Sequence, residues 1–281
     1  MPYKNKGFYL KEKKFKGKVF DNHKKLTRLL TLVNKNKYSA PKLAKVFGCN
    51  CKTIHYTLYN HGTVLPNRGR FTKWVYCTEE FFRTLSPISA YWAGFIAADG
   101  CLNKRDNSMR LGLSKVDRNH LIKFKNSIKT NANITECKSN NSVRIMICSE
   151  KLYNSLTDLG IKPNKSLTIN KVSIPKGLMS HFIRGVFDGD GSISGEKITH
   201  VQFMIAGNKP FLEQLQDTLI KKCELNKVKI YPCTDSKAFR IQYTGSQIFR
   251  ILEYLYKDST IDTRLDRKYK KYLELKSKFK T

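Results

Sequence analysis

The stretch Phe182-Ile-Arg-Gly-Val-Phe-Asp-Gly-Asp-Gly-Ser192 has a weaker copy earlier in the chain, Tyr91-Trp-Ala-Gly-Phe-Ile-Ala-Ala-Asp-Gly-Cys101. When the two are aligned at Asp190 and Asp99, they share the same order of features. Each has an apolar run, two small residues one helical turn apart, and an Asp-Gly pair at its end. The chain therefore contains the same motif twice.

Each copy is predicted to be a short helix that ends at its aspartate. The glycines that follow, Gly100 and Gly191, are expected to end these helices in the left-handed conformation. Small residues four positions apart leave a groove in which a second helix can lie at close range. We therefore expect the two helices to pack against each other and to bring Asp99 and Asp190 together at one end.

Two carboxylates at neighbouring helix ends repel each other, and both face the partial negative charge of the helix C-termini. A divalent cation removes that cost, and hard oxygen ligands of this kind suit Mg2+ or Ca2+. Enzymes that use water to attack a phosphodiester commonly hold a metal ion between paired carboxylates. Asp99 and Asp190 are therefore the predicted metal ligands, and a contribution from the backbone at position 98 is left open.

Both copies resemble the signature of the LAGLIDADG homing endonucleases, and two copies in one chain resemble the single-chain members of that family. The resemblance covers residues 86–281. It implies an α+β fold with two pseudo-symmetric αββαββα repeats, 86–170 and 171–281, whose antiparallel sheets bind DNA. The copies differ at the earlier acidic position, which is Ala97 in one and Asp188 in the other, so Asp188 is assigned a capping or structural role.

The resemblance also implies an activity. The chain is expected to be a monomeric, intron-encoded, site-specific double-strand DNA endonuclease that hydrolyses a long asymmetric target and leaves short 3′ overhangs. Two or three divalent ions are expected at Asp99 and Asp190, Mg2+ in the first place, with Mn2+ able to substitute. Further catalytic candidates are Lys165 and Lys268, in the basic segments after the last helix of each repeat, and Lys115, after the first strand.

After each aspartate the apolar residues change to a period of two, which predicts half-buried strands. The predicted strands centre on 109–113, 143–147, 201–205 and 239–243, and the predicted helices between them are 119–128, 150–159, 210–223 and 246–256. If the apolar residues face the helices, the polar alternates stand on the opposite face of each sheet. Arg and Gln pair bidentately with guanine and adenine in the major groove, so the DNA-contacting candidates are Arg110, Arg144, Gln202, Arg240 and Gln242.

The residues before the first copy predict a small all-α domain. Residues 1–20 are expected to form a basic arm, and 21–80 a helix-turn-helix domain with helices over 21–33, from Ser39 to Phe47 and from Asn50 to Asn60. Gly48 is expected to make the turn between the last two helices. The DNA-contacting candidates of this domain are Lys52, Thr53, Tyr56, Arg68 and Arg70. An ordinary three-helix bundle is the alternative interpretation.

The charge balance points to a polyanionic partner. The 281 residues include 53 Lys and Arg against 22 Asp and Glu, a net charge of +31, which favours nucleic acid through phosphate neutralisation. The eight cysteines follow no repeated pair spacing, so reduced thiols are expected. No apolar run is long enough to cross a membrane, and we expect a soluble intracellular protein, with phage or bacterial cytoplasm and organelle left undecided.

Two other functions stay open at the level of sequence. An RNA intron-splicing maturase is one, because the same fold serves introns and a basic sheet face can hold folded RNA. A catalytically inactive transcriptional regulator is the other, with the helix-turn-helix supplying its DNA specificity. The presence of both Asp99 and Asp190 favours the endonuclease.

Overall fold

The computed structural model describes residues 20, 22–34, 39–61, 76–163, 169–195, 197, 200–234 and 237–278. It divides the chain into two compact units, Met1–Trp74 and Val75–Thr281. Several sequence predictions lie outside the described residues, namely the basic arm over 1–19, Arg68, Arg70 and Lys165.

The described residues of the first unit form three helices, at His23–Asn34, Ala40–Phe47 and Cys51–Asn60, close to the predicted bounds. Gly48 ends the second helix in the left-handed conformation, with φ 63°, as predicted for the turn. Asn50 caps the third helix, because its Oδ1 accepts a hydrogen bond from the backbone N–H of Thr53 at 2.8 Å. A separate apolar core holds the helices together and contains Phe20, Leu29, Val33, Leu43, Ala44, Ile54 and Leu58.

The second unit is α+β and repeats the order αββαββα. The first repeat runs through the first motif helix (Pro87–Asp99), β1 (Gly100–Asn103), β2 (Ser108–Ser114), a helix (Arg118–Ser127), β3 (Thr135–Cys137), β4 (Ser142–Cys148) and a helix (Glu150–Asp158). The second runs through the second motif helix (Met179–Asp190), β5 (Gly191–Ser194), β6 (Gln202–Gly207), a helix (Lys209–Cys223), β7 (Tyr231–Pro232), β8 (Phe239–Thr244) and a helix (Gln247–Tyr256). A final helix, Asp266–Lys278, follows and was not predicted.

The two sheets have the same topology. Their strand orders are β1-β2-β4-β3 and β5-β6-β8-β7, and every neighbouring pair is antiparallel. In β2 and β4 buried and exposed residues alternate, which confirms the period-two prediction. The apolar faces of both sheets join the motif helices in one continuous core.

The glycines after the two aspartates are extended rather than left-handed, so that prediction was wrong. Gly100 has φ −77° and Gly191 has φ −90°, and the chain passes directly from each motif helix into β1 or β5. The reason for glycine is close approach to the last helical turn. A Cβ on Gly100 would lie 2.6 Å from Cγ2 of Ile96, and one on Gly191 would lie 2.8 Å from Cε2 of Phe187.

Among the helices of the described ranges, none is both long and apolar enough to cross a membrane.

Candidate active site at the paired motif helices

The two motif helices pack with their backbones in contact. A Cβ on Gly94 would overlap the carbonyl oxygen of Phe182 and lie 2.9 Å from its carbon. A Cβ on Gly185 would overlap the carbonyl oxygen of Tyr91 and lie 2.7 Å from the nitrogen of Phe95. Only glycine fits at these two positions, and the predicted helix pair is confirmed.

This packing brings the ends of the two helices together at Asp99 and Asp190. Asp99 is the last residue of the first motif helix and Asp190 the last of the second. A Cβ on Gly189, the residue before Asp190, would lie 3.3 Å from Oδ2 of Asp99. Both aspartates are exposed to solvent, while the helix bodies beneath them are buried. The two carboxylates are therefore accessible to solvent, and the helices that carry them are packed into the core.

The carboxylate pair has the donor chemistry that Mg2+ requires. In the described parts of the chain no group of three or more His, Cys, Asp or Glu side chains comes together as a metal cluster. Mg2+ does not need one, because it binds through one or two carboxylates and keeps water or substrate phosphate oxygens as its other ligands. Asp99 and Asp190 would therefore hold the ion, and a ligand from the backbone of Ala98 stays a prediction.

Lys268 lies directly beneath this pair and caps the second motif helix. Its side chain is buried, and Nζ donates to the carbonyl oxygens of Phe187 at 2.6 Å, Asp188 at 2.9 Å and Gly191 at 2.6 Å. These bonds use all three protons of the ammonium group. Burial lowers the pKa of Lys268 to about 8. Lys268 thus places a positive charge at the end of the helix, but none of its protons is left to donate to a bound substrate. Its predicted catalytic role stays a prediction.

Asp188 is a structural residue. Its carboxylate is buried and accepts three hydrogen bonds, from the Tyr91 hydroxyl at 2.9 Å, the Tyr256 hydroxyl at 2.8 Å and the backbone N–H of Leu265 at 2.8 Å. Burial raises the pKa of Asp188, while Lys268 and the three donors oppose that effect. The carboxylate therefore connects the first motif helix, the helix Gln247–Tyr256 and the start of the final helix.

Arg184, one turn before Asp188, braces the same segment and was missed by the sequence prediction. The guanidinium is wholly buried, with Nε donating to the carbonyl of Thr263 and Nη1 to the carbonyl of Leu255, each at 2.7 Å. Nη2 lies 3.0 Å from Nδ1 of His181. Burial lowers the pKa of Arg184. The sequence did contain a signal for this buried network, namely an Arg and an Asp four residues apart inside an apolar helix.

The corresponding face of the first motif helix carries Ala93 and Ala97, both buried. Arg184 and Asp188 therefore have no counterpart in the first repeat, although Tyr91 of the first motif helix donates a hydrogen bond to Asp188. The network fastens the chain after residue 255 to the second motif helix, which ends at Asp190.

Replacement of Asp188 by Asn is expected to destabilise the protein by about 3 kcal/mol, because one of its buried donors loses its acceptor and two buried cations lose a counter-ion. Urea unfolding followed by circular dichroism measures the change. Asp217→Asn is the matched control, since Asp217 is exposed on the helix Lys209–Cys223, and a change below about 0.5 kcal/mol is expected for it. Equal unfolding midpoints for Asp188→Asn and the parent would contradict the structural role.

His120 completes the network on the side of the first repeat. Its Nε2 lies 2.8 Å from the Tyr91 hydroxyl, which gives its own proton to Asp188, so Nε2 is the donor. The ring lies among aromatic side chains, with centroids 4.7 Å from Trp92 and 4.8 Å from Phe95. Nδ1 is buried and has no partner among the described residues. Burial lowers the pKa of His120 to about 3.

This buried histidine makes stability depend on pH. Because the folded pKa of about 3 lies below the ordinary value of 6.5, the unfolded chain takes up the proton first, and stability is lost as pH falls through 6.5. Between pH 7 and pH 5 we expect wild type to lose about 2 kcal/mol relative to His120→Gln, which cannot titrate. Urea unfolding at both pH values measures this difference. Parallel losses in the two proteins would contradict it.

Lys115 lies just past the end of β2, and its Nζ forms an ion pair with Oε2 of Glu136 at 3.1 Å. Both side chains are about half exposed, so the pair contributes little to stability. The predicted role of Lys115 in ordering water stays a prediction.

The polar residues of the strands stand where the alternation predicted. Exposed and buried residues alternate along β2, β4 and β6, and in β8 the most buried residues occupy every second position. The face of each sheet opposite the core therefore carries the five predicted side chains, Arg110, Arg144, Gln202, Arg240 and Gln242. Arg110 has a long ion pair with Asp106, at 3.7 Å. DNA contact by this face stays a prediction.

In the first unit, Lys52 and Tyr56 are exposed on the third helix, Tyr56 to 42%. Oγ1 of Thr53 lies 3.1 Å from Oδ1 of Asn50, so this hydroxyl is engaged in the helix cap. Their DNA contacts stay predictions as well.

No protein-family model matches the sequence, and no curated protein is significantly similar to it. Solved structures do resemble it. Full-length DUF199/WhiA from Thermatoga maritima matches at 15% identity with a TM-score of 0.48, over 72% of this chain and 64% of that protein. This chain thus spans less than two thirds of that protein's length.

Two further structures contain DNA. The I-LtrWI LAGLIDADG homing endonuclease bound to target DNA matches at 13% identity and a TM-score of 0.49, over 69% of this chain and 91% of that one. The LAGLIDADG meganuclease I-CpaMI bound to uncleaved DNA matches at 16% identity and a TM-score of 0.45, over 69% and 93%. All three scores lie below 0.5, so the fold described above rests on the strand order and packing of this chain.

Proposed function

We propose that this chain is a site-specific double-strand DNA endonuclease of the LAGLIDADG type, dependent on Mg2+. The observation that carries the proposal is the pair of exposed carboxylates, Asp99 and Asp190, at the ends of two helices whose glycines are in backbone contact. Such a pair is unfavourable by itself and becomes favourable with a divalent cation. A rigid carboxylate pair open to solvent suits a large phosphodiester substrate.

Each side chain of the site has a proposed task. Asp99 and Asp190 hold the metal, which when bound supplies a more acidic water and neutralises charge on the scissile phosphate. Lys268 keeps the end of the second motif helix in place through its bonds to three carbonyl oxygens and adds positive charge where negative charge develops. Lys165 and Lys115 are proposed to assist on the first-repeat side.

The substrate is proposed to be duplex DNA because of charge and surface chemistry. The net charge is +31, and the outer face of the first sheet presents Arg side chains and that of the second Arg and Gln side chains, all suited to base edges. One chain supplies both carboxylates, so a monomer suffices for cutting both strands of a long asymmetric target with short 3′ overhangs. The first unit is proposed to add DNA contacts through Lys52, Thr53, Tyr56, Arg68 and Arg70.

A cleavage selection tests this function. The purified full chain is incubated with a randomised duplex library in Mg2+, in Ca2+ and in EDTA, and the cut ends are sequenced. The expected result is one long enriched site, cut only in Mg2+ and with short 3′ overhangs. Tight binding without cutting in any divalent ion would overturn the nuclease and favour a regulator. Selective binding of folded intron RNA over duplex DNA would favour a maturase.

A further inference from the structure

The outer faces of the two sheets can be compared position by position, because both sheets start at the same point. Gly100 and Gly191 each follow a motif aspartate directly and begin the first strand of their sheet. Gly100 pairs with Leu111 and Gly191 with Ile205, and on the next strand these pair with Ile145 and Ile241 respectively. This register defines equivalent rungs, each rung being the set of residues paired across neighbouring strands.

One outer-face rung is alike in the two sheets. In the first sheet Gly112 pairs with Arg144, which pairs with Thr135. In the second sheet Ala206 pairs with Arg240, which pairs with Tyr231. An arginine thus stands at the same place beside a small residue in both halves, and we call this the matched rung.

The next outer-face rung differs between the sheets. In the first sheet Cys101 pairs with Arg110 and Arg110 with Met146. In the second, Ser192 pairs with Met204 and Met204 with Gln242. The hydrogen-bonding side chain is therefore arginine on β2 in one half and glutamine on β8 in the other, with a methionine opposite each. Because β8 is the counterpart of β4, Arg110 and Gln242 do not occupy equivalent positions.

The two matched arginines are available for a ligand. Neither guanidinium forms an ion pair or side-chain hydrogen bond within the described parts of the chain, and Arg144 is exposed while Arg240 is partly exposed. The glycine beside Arg144 is not required by packing, because a Cβ on Gly112 would have its nearest neighbour at 3.9 Å. A strand glycine without a packing reason marks a place of close approach by a ligand.

We propose that the DNA target has a guanine at one position in each half-site, the two being related by the approximate two-fold symmetry of the repeats, read by Arg144 and Arg240. On the neighbouring rung Arg110 reads a guanine in one half-site and Gln242 reads an adenine in the other, at positions that are not symmetry-related because the two side chains stand on non-equivalent strands. Arginine pairs bidentately with guanine and glutamine with adenine, which supplies the assignment. The proposal rests on the proposed function in assuming that the sheet faces bind duplex DNA.

The test is a binding selection in Ca2+, so that cutting does not enter. Wild type, Arg144→Gln and Arg240→Gln are each equilibrated with a randomised duplex library, and the bound sequences are compared. Wild type should select a guanine at two positions placed symmetrically about the site centre. Each variant should change one of these, a different one, from guanine to adenine, with a loss of guanine preference of roughly ten-fold to a hundred-fold. Arg110→Gln is the control and should change a third position, in the half-site that Arg144 reads, and leave both symmetric guanines unchanged.

Three results would overturn the assignment. In the first, each variant binds all sequences more weakly to the same degree and its affinity depends less steeply on salt, by about one ion. That result would show that these arginines contact phosphates rather than bases. Changes at positions that are not symmetry-related would refute the matched rung. Failure to bind any duplex would remove both this proposal and the endonuclease. Symmetric guanines without cutting in Mg2+ would support the readout and refute the nuclease alone.

Discussion

The Asp190→Asn protein is expected to bind its target normally and to lose double-strand cleavage. Asparagine keeps the size of the side chain and the end of the second motif helix, so the fold and the sheet faces remain. It removes the charge of a proposed metal ligand, which is expected to cost several kcal/mol of transition-state stabilisation, or about a thousand-fold or more in rate. Asp99→Asn is expected to behave in the same way.

The measurement is cleavage of a supercoiled plasmid that carries the selected site, with binding followed separately in Ca2+ by gel shift. Supercoiled, nicked and linear forms distinguish loss of one cut from loss of both. Asp217→Asn, with its exposed carboxylate far along the helix Lys209–Cys223, is expected to cut at the wild-type rate. Linear product from Asp190→Asn at that rate would refute the assignment of the carboxylate pair.

The Gly185→Ala protein is expected to lose its fold or at least about 4 kcal/mol of stability. A Cβ at this position would overlap the carbonyl oxygen of Tyr91 and lie 2.7 Å from the backbone nitrogen of Phe95. Both obstacles belong to the backbone of the opposite helix, so rotamer changes cannot relieve the clash and the helices must separate. Overpacking of a rigid core is costly for this reason, and separated helices would also part Asp99 from Asp190.

Thermal and urea unfolding measure this effect. Gly177→Ala is the matched control, because a Cβ on Gly177 would have no neighbour within 4 Å. Its stability is expected to stay level or to rise slightly through the reduced entropy of the unfolded chain. A Gly185→Ala protein that melts together with this control would show that the helices tolerate a wider separation than the structure describes.

Local patterns explain why much of the fold was predictable. Alternation in Met109, Leu111 and Leu113 specifies a half-buried strand whatever lies around it, and β2 has that pattern. Glycine at positions 94 and 185 removes side chains from one stripe of each motif helix, which is a property of the sequence alone. The nearness of Asp99 to Asp190 follows once those two stripes meet.

The support beneath the carboxylates was not predictable in the same way. Arg184 and Asp188 bind groups 71 to 79 residues further along the chain. All three of those groups are backbone atoms, of Leu255, Thr263 and Leu265, which carry no signature in the sequence. Lys268 illustrates the same point, because its position in a basic segment suggested contact with substrate. Its protons instead go to carbonyl oxygens in the last turn of the second motif helix and at Gly191, the first residue of β5.

Residue types alone specify the two motif helices, their shared glycine contact, the alternating strands and the charge that points to nucleic acid. The first three depend on local spacing and the last on composition. The folded chain was needed to show that Gly100 and Gly191 are extended, that Arg184 and Asp188 bind the segment after residue 255, and that Arg144 and Arg240 occupy equivalent rungs. Those features depend on strand register and on backbone groups brought together from distant parts of the chain. A backbone group has no side-chain pattern from which its partner could be predicted.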